Sequence, residues 1–218
     1  MDQAQNEVVL AVDFNLYLIT DRKQTRLSLP EAIRFALKGG VRAVQLREKD
    51  LPVRELLALA RELRKITSEF KARLFVNDRV DVAVAADADG VHLGHQSMPV
   101  DAVRKVVGSR MLIGVSTHTA NEALAAEKGG ADFITFGPVF ATPSKVPYGA
   151  PVGSDALRQV KERVRIPVFA LGGIKQGNIP EVIQSGADGV ALISAVIAAE
   201  NIQTAAEYIT RSLVSSRH

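Results

Sequence analysis

The sequence predicts a single (β/α)8 barrel, an α/β fold of the TIM type, and three observations carry that expectation. Short β-branched runs recur roughly every 20–30 residues, each followed by an amphipathic stretch. Strict alternation of this kind calls for parallel strands joined by helical crossovers. One turn also repeats: Gly39-Gly40-Val41-Arg42, Ala88-Asp89-Gly90-Val91, Gly129-Gly130-Ala131-Asp132 and Gly186-Ala187-Asp188-Gly189 each lead from a helix into a strand. Glycine there supplies the left-handed conformation that the reversal needs. Eight similar units favour a closed barrel over an open, doubly wound sheet. Finally, 218 residues are enough for one sizeable core and few for two ordinary domains. One barrel spans residues 1–218, with 1–13 as an extra N-terminal segment.

Taken in order, the expected strands are 16–20, 43–46, 73–76, 90–93, 111–115, 133–136, 167–171 and 189–193. Several are continuous apolar runs, as parallel strands covered on both faces should be. The expected helices are 30–38, 53–67, 80–86, 100–107, 121–128, 154–163 and 179–184, followed after the eighth strand by 195–199 and 204–213. Their apolar residues recur at helical spacing, with charged residues between them.

Composition narrows the function. Apolar residues make up 47% and charged residues 23%, ordinary values for a soluble globular protein. No apolar run approaches the roughly 20 residues of a spanning helix, and the stretch at 8–12 lacks the basic leader of a signal peptide. There is no cysteine, which excludes disulfides and thiolate catalysis and agrees with a cytoplasmic setting. A net charge of +3 and 5% aromatic residues argue against a nucleic-acid partner.

In such barrels the active site forms where the strands end, so residues just after each strand are the candidates. After the second strand, Gln45, Arg47 and Lys49 alternate onto one side. An amide and two cations converging at the mouth suit a polyphosphate. After the third, Asn77 and Asp78 could hold Mg²⁺ through oxygen, or Asp78 could cap the helix that follows. His92 ends the fourth strand as a packed interior residue, and His95, Gln96 and Ser97 follow in a mouth loop. After the fifth come Ser116, Thr117, His118 and Thr119, a helix cap or, through His118, an acid–base group. The sixth leads into the longest loop, carrying Thr142 and Lys145, either a water-excluding lid or a plain connection. After the seventh and eighth lie Gly172, Gly173, Ile193 and Ser194, at the address where barrels commonly receive a phosphate.

Together these strand ends resemble the thiamine phosphate synthase family, with its close relatives the thiazole tautomerases. The resemblance runs through Tyr17-Leu18-Ile19-Thr20-Asp21, Gln45-Leu46-Arg47-Glu48-Lys49, Asn77-Asp78-Arg79-Val80-Asp81, Val91-His92-Leu93-Gly94, Gly114-Val115-Ser116-Thr117-His118-Thr119, Gly137-Pro138-Val139-Phe140 and Gly172-Gly173-Ile174, in order over nearly the whole chain. It implies an enzyme that joins hydroxymethylpyrimidine diphosphate to thiazole phosphate and releases pyrophosphate with Mg²⁺. Gln45, Arg47, Lys49 and Lys145 would then hold the diphosphate, and Asn77 and Asp78 the pyrimidine and metal. Ser116 would meet the pyrimidine or pyrophosphate, while Gly173 and Ser194 take the thiazole phosphate. Lys49, Ser116, His118 and Lys145 are the implied catalytic set, with Thr142, Gly172 and Ile193 among the binding residues. Ser97 stands where these synthases carry a second metal-binding aspartate, which implies a weakened Mg²⁺ site. The alternatives are a thiazole tautomerase using His118, or a ligand-binding relative without catalysis. Members of the family differ in assembly, so a homo-oligomer stays open.

Overall fold

The computed structural model describes residues 11–142 and 150–216. Eight parallel strands close into a barrel in sequence order, as the repeat predicts. They are β1 (Leu16–Ile19), β2 (Ala43–Leu46), β3 (Arg73–Asn77), β4 (Gly90–Leu93), β5 (Leu112–Thr117), β6 (Phe133–Phe136), β7 (Val168–Leu171) and β8 (Gly189–Leu192). The helices are α1 (Leu29–Lys38), α2 (Val53–Glu69), α3 (Val80–Ala85), α4 (Val100–Val107), α5 (Ala120–Lys128), α6 (Gly153–Arg163), α7 (Ile179–Gln184), α8 (Ser194–Ile197) and α9 (Ile202–Ser215). Two strands outrun the apolar pattern because their polar ends still pair: Asn77 lies opposite His92, and Ser116 and Thr117 lie opposite Thr135 and Phe136. α9 begins earlier than its periodicity suggests because the Asn201 side chain accepts from the Thr204 amide at 3.0 Å.

Alternation along each strand separates two cores. Outward residues such as Leu18, Val44, Leu74 and Val190 join the helices in the larger one. Inward residues Tyr17, Ala43, Phe75, Leu112, Phe133 and Phe169, closed from below by Phe14, fill the barrel. The rings of Phe75 and Phe133 meet edge-on at 5.4 Å, and Tyr17 meets each of them edge-on at 5.3 Å. Glycine on a neighbouring strand makes room for each ring. A Cβ on Gly90 would lie 2.5 Å from the Phe75 ring, and one on Gly114 would lie 2.4 Å from Phe133. This large–small alternation is how a narrow barrel fills its interior.

The repeated turn has a repeated job. Asp89, Asp132 and Asp188 each accept the first or second amide of the preceding strand: Leu74 at 2.7 Å, Ile113 at 2.6 Å and Val168 at 2.8 Å. Each also pairs with a base from the helix that leads into that strand: Arg64 of α2, Arg104 of α4 at 2.5 Å and Lys161 of α6 at 2.6 Å. In the first copy Arg42 replaces the aspartate and donates instead to the carbonyls of Leu37 and Val41. Arg73 joins this lower ring through Asp13 and Asp89. The cations named here, on the N-terminal side of the barrel, therefore already have partners.

Candidate active site at the barrel mouth

The same alternation that puts rings in the lower barrel puts Ile19, Gln45, Asn77, His92, Ser116, Thr135, Leu171 and Ile193 at its upper level. The ring of inward side chains is divided. From β2 to β6 it is polar, and across β7, β8 and β1 it is apolar, where Ile19, Leu171 and Ile193 belong to the inner core.

Within the polar arc, buried Gln45 donates through Nε2 to Asn77 Oδ1 at 3.1 Å. Its Oε1 is left as the buried side-chain polar atom without a partner among the described residues, an exception that folded proteins rarely tolerate without a reason. His92 touches the Tyr17 hydroxyl through Nδ1 at 3.3 Å and the Ser116 hydroxyl through Nε2 at 3.0 Å. Burial, and secondarily the charge of Arg47, push its pKa down to about 3, so the ring is neutral. Thr135 makes a long 3.4 Å contact to Ser116 Oγ. Ser116 is thus a member of the interior ring, and the helix cap after β5 is Thr119, whose Oγ1 accepts from Glu122 N at 3.2 Å.

Arg47 is half-buried and Lys49 exposed, and among the described residues neither side chain is in an ion pair. Their loop is held from behind. Arg47 N donates to Thr20 Oγ1 at 2.9 Å, and Thr20 donates in turn to buried Glu48 Oε1 at 2.7 Å. Glu48 also accepts from the Arg22 amide and guanidinium, each at 3.0 Å, and Arg22 pairs with Asp50. These contacts engage the acidic side chains of the loop below the rim, leaving its two cations for the mouth.

Asp78 follows β3 with φ 66°, a left-handed conformation uncommon outside glycine, asparagine and aspartate. It does not cap α3: the cap position is Arg79, with no side-chain cap bond. Ser97 Oγ accepts from the Gly94 amide at 2.6 Å, so this hydroxyl organises its own turn. No group of three His, Cys, Asp or Glu side chains converges among the described residues. One carboxylate does not make a closed metal cage, but would suit a Mg²⁺ that takes most of its oxygens from a bound phosphate and water.

Gly172 and Gly173 have φ 94° and 65°. Their lack of side chains serves the neighbouring loop: a Cβ on Gly172 would lie 2.6 Å from Pro138, and one on Gly173 would lie 2.7 Å from the Phe140 and Ala141 carbonyls. Val139 N and Phe140 N donate to the Leu171 and Gly172 carbonyls at 2.9 and 3.0 Å, which ties the loop after β6 to the loop after β7. Thr142 ends the described part of that loop, and Lys145 lies outside the described residues. Ser194 begins α8, with Ile193 at its cap. His118 stands apart from the polar arc, its backbone N–H and ring Nδ1 facing Glu122 Oε2 at 2.7 and 3.2 Å.

Sequence reasoning missed Tyr17, Thr20, Glu48 and Thr135. Thr135 carried a readable signal, since it is two residues beyond Phe133 on β6 and so shares its inward face. The Thr20–Glu48–Arg22 bracket joins side chains 28 and 26 positions apart, brought together by the pairing of β1 with β2.

Comparison with known proteins identifies the family of the barrel. Residues 16–196 match the family described as thiamine monophosphate synthase. A Geobacter sulfurreducens protein provisionally named thiamine-phosphate synthase is 61% identical, over 86% of this chain and 88% of its own. The thiamine-phosphate synthase of Chloroflexus aurantiacus is 46% identical, over 94% of both chains. The solved thiamine phosphate pyrophosphorylase of Pyrococcus furiosus superposes with a TM-score of 0.87 at 42% identity, covering 94% of this chain and 97% of that one. A 3-hexulose-6-phosphate synthase, at a TM-score of 0.66 and 19% identity, shares the fold alone. With the family's motifs at the strand ends and relatives that match along nearly the full barrel, the chain belongs to the thiamine monophosphate synthase family.

Proposed function

We propose that the mouth of this barrel joins hydroxymethylpyrimidine diphosphate to thiazole phosphate, forming thiamine phosphate and releasing pyrophosphate. The observation that carries the site assignment is a contrast in charge. Arg64, Arg73, Arg104 and Lys161 are bound to aspartates below, whereas Arg47 and Lys49 at the rim have no ion-pair partner among the described residues. In the reaction the bond between the pyrimidine methylene carbon and the diphosphate oxygen breaks, and its electron pair leaves with pyrophosphate. The carbon, now cationic and stabilised by the pyrimidine ring, bonds to the thiazole. Catalysis therefore amounts to stabilising a multiply charged leaving group, the work to which fixed cations and aimed donors are suited.

Arg47 and Lys49 take the diphosphate, with Lys145 added from the loop after β6. Gln45 is assigned to the pyrimidine: one of its amide hydrogens is engaged by Asn77, and the unpartnered Oε1 is an acceptor, suited to an amino N–H carried by the ring and unsuited to a phosphate. Ser116 donates to the diphosphate side of the same substrate. Asp78 would hold a Mg²⁺, which would supply further neutralisation of the leaving group. Gly173 and Ser194, beside the apolar half of the ring, take the thiazole phosphate. The synthase reaction gives His118 no proton to move, and its pairing with Glu122 supports a structural place at the start of α5. The phosphorylated substrates fit a cytoplasmic enzyme.

The test is turnover of purified protein with both substrates and Mg²⁺. Thiamine phosphate and pyrophosphate in equal amounts are expected. Absence of product at millimolar Mg²⁺, with aromatisation of a thiazole tautomer in its place, would replace the reading by an isomerase.

A further inference from the structure

The inner ring contains one polar chain that reaches from the aromatic core to the rim. Tyr17 is fully buried, and among the described residues its hydroxyl meets a single partner, His92 Nδ1 at 3.3 Å. A buried hydroxyl left without an acceptor would cost about 1–3 kcal/mol, so the phenol donates and Nδ1 accepts. A ring whose Nδ1 accepts carries its one proton on Nε2. That N–H points at Ser116 Oγ, 3.0 Å away. Thr135 contacts the same oxygen at 3.4 Å. Ser116 Oγ is thus an acceptor on its inner side, and its own hydrogen is free to turn toward the mouth.

We propose that Tyr17 and His92 are positioning residues that make the Ser116 hydroxyl a fixed hydrogen-bond donor to the anion bound at the rim. This rests on the placement of the diphosphate beside Ser116 and adds the reason that serine donates rather than accepts. A hydroxyl without the chain could rotate and present a lone pair to the phosphate, which repels it. Locking the rotor removes that orientation before substrate arrives, which is the preorganisation that makes such donors effective. Because the protein has four histidines, His92 can be followed individually.

Three experiments on the full chain decide it. Imidazole ¹⁵N–¹H spectra of the unliganded protein should show His92 protonated on Nε2, and Tyr17→Phe should release it to a tautomer mixture; an Nδ1 proton in the wild type overturns the proposal whether or not the protein turns over. In kinetics, His92→Leu and Ser116→Ala should each lower kcat by about 10- to 100-fold, with KM for thiazole phosphate unmoved. The double variant should be no worse than Ser116→Ala alone, and His92→Gln, which returns an N–H to the same place, should recover most of the loss. Losses that multiply in the double variant, or a Gln variant as poor as Leu, would mean His92 acts by packing. Should His92→Leu fail to fold, Tyr17→Phe replaces it in the cycle, with a smaller loss that must likewise vanish in the Ser116→Ala background. Binding of Mg²⁺-pyrophosphate by calorimetry separates the two levels: wild-type affinity in Ser116→Ala would refute the placement of the serine, while the spectra would still report the tautomer.

Discussion

The lower and upper levels of the barrel interior are built from the same strands and have opposite chemistry. Below, Phe75, Phe133 and Phe169 interlock with glycines on adjacent strands, and Arg42, Arg64, Arg73, Arg104 and Lys161 are each matched to an aspartate or a carbonyl. Above, the same inward positions carry Gln45, Asn77, His92, Ser116 and Thr135, one buried acceptor lacks a partner, and Arg47 and Lys49 have no carboxylate among the described residues. The lower level resembles a protein core brought to completion, while the upper level is complete only when something anionic and polar is added. Function in this barrel is located where the polar accounting fails to close.

That contrast can be broken by substitutions that should affect one level and spare the other. The largest effect is expected from Phe133→Ala in the lower level, a loss of about 3–5 kcal/mol in stability from burial and cavity together, measured by denaturant unfolding. Phe133 packs against Tyr17 and His92, so the control is KM for thiazole phosphate at Gly173 and Ser194, which should change by less than about threefold; a large change would show that the aromatic layer itself shapes the mouth. Arg47→Ala should do the reverse. Its KM for the diphosphate substrate should rise by about 100-fold, the scale of a lost charge-assisted contact, with KM for thiazole phosphate unmoved and unfolding within about 1 kcal/mol of the wild type. Equal losses for both substrates would remove Arg47 from the place given to it. The smallest effect is expected from Ser97→Asp, which adds a carboxylate near Asp78. The Mg²⁺ concentration for half-maximal activity should fall severalfold, since Mg²⁺ sites commonly use one or two carboxylates. An unchanged Mg²⁺ requirement would place the metal away from the β4–α4 turn.

Much of this was legible in the chain itself. Strand order and barrel closure followed from the recurring αβ turn, and the turn recurs because each aspartate clamps a strand pair at the bottom of the barrel. Gln45, Arg47, Asn77 and Ser116 were readable as inward residues near strand ends because parity along a strand is a local property. The direction of each hydrogen bond was not local. Gln45 read as a donor for phosphate, but one amide hydrogen is taken by Asn77, a residue on the next strand, and the atom left without a partner is the acceptor Oε1. His92 read as simple packing, and its second contact to Ser116 depends on register between β4 and β5. Gly172 and Gly173 read as part of a phosphate address, and the atoms nearest a Cβ at either belong to the loop after β6.

The most direct test of the division between the two levels is a crystal structure with Mg²⁺, pyrophosphate and thiazole phosphate bound. The expected result is two anions at the mouth, pyrophosphate against Arg47, Lys49 and Ser116, and the phosphate monoester against Gly173 and Ser194 on the apolar side. Anions at the lower ring of Arg64, Arg73 and Arg104, with an empty mouth, would contradict the account.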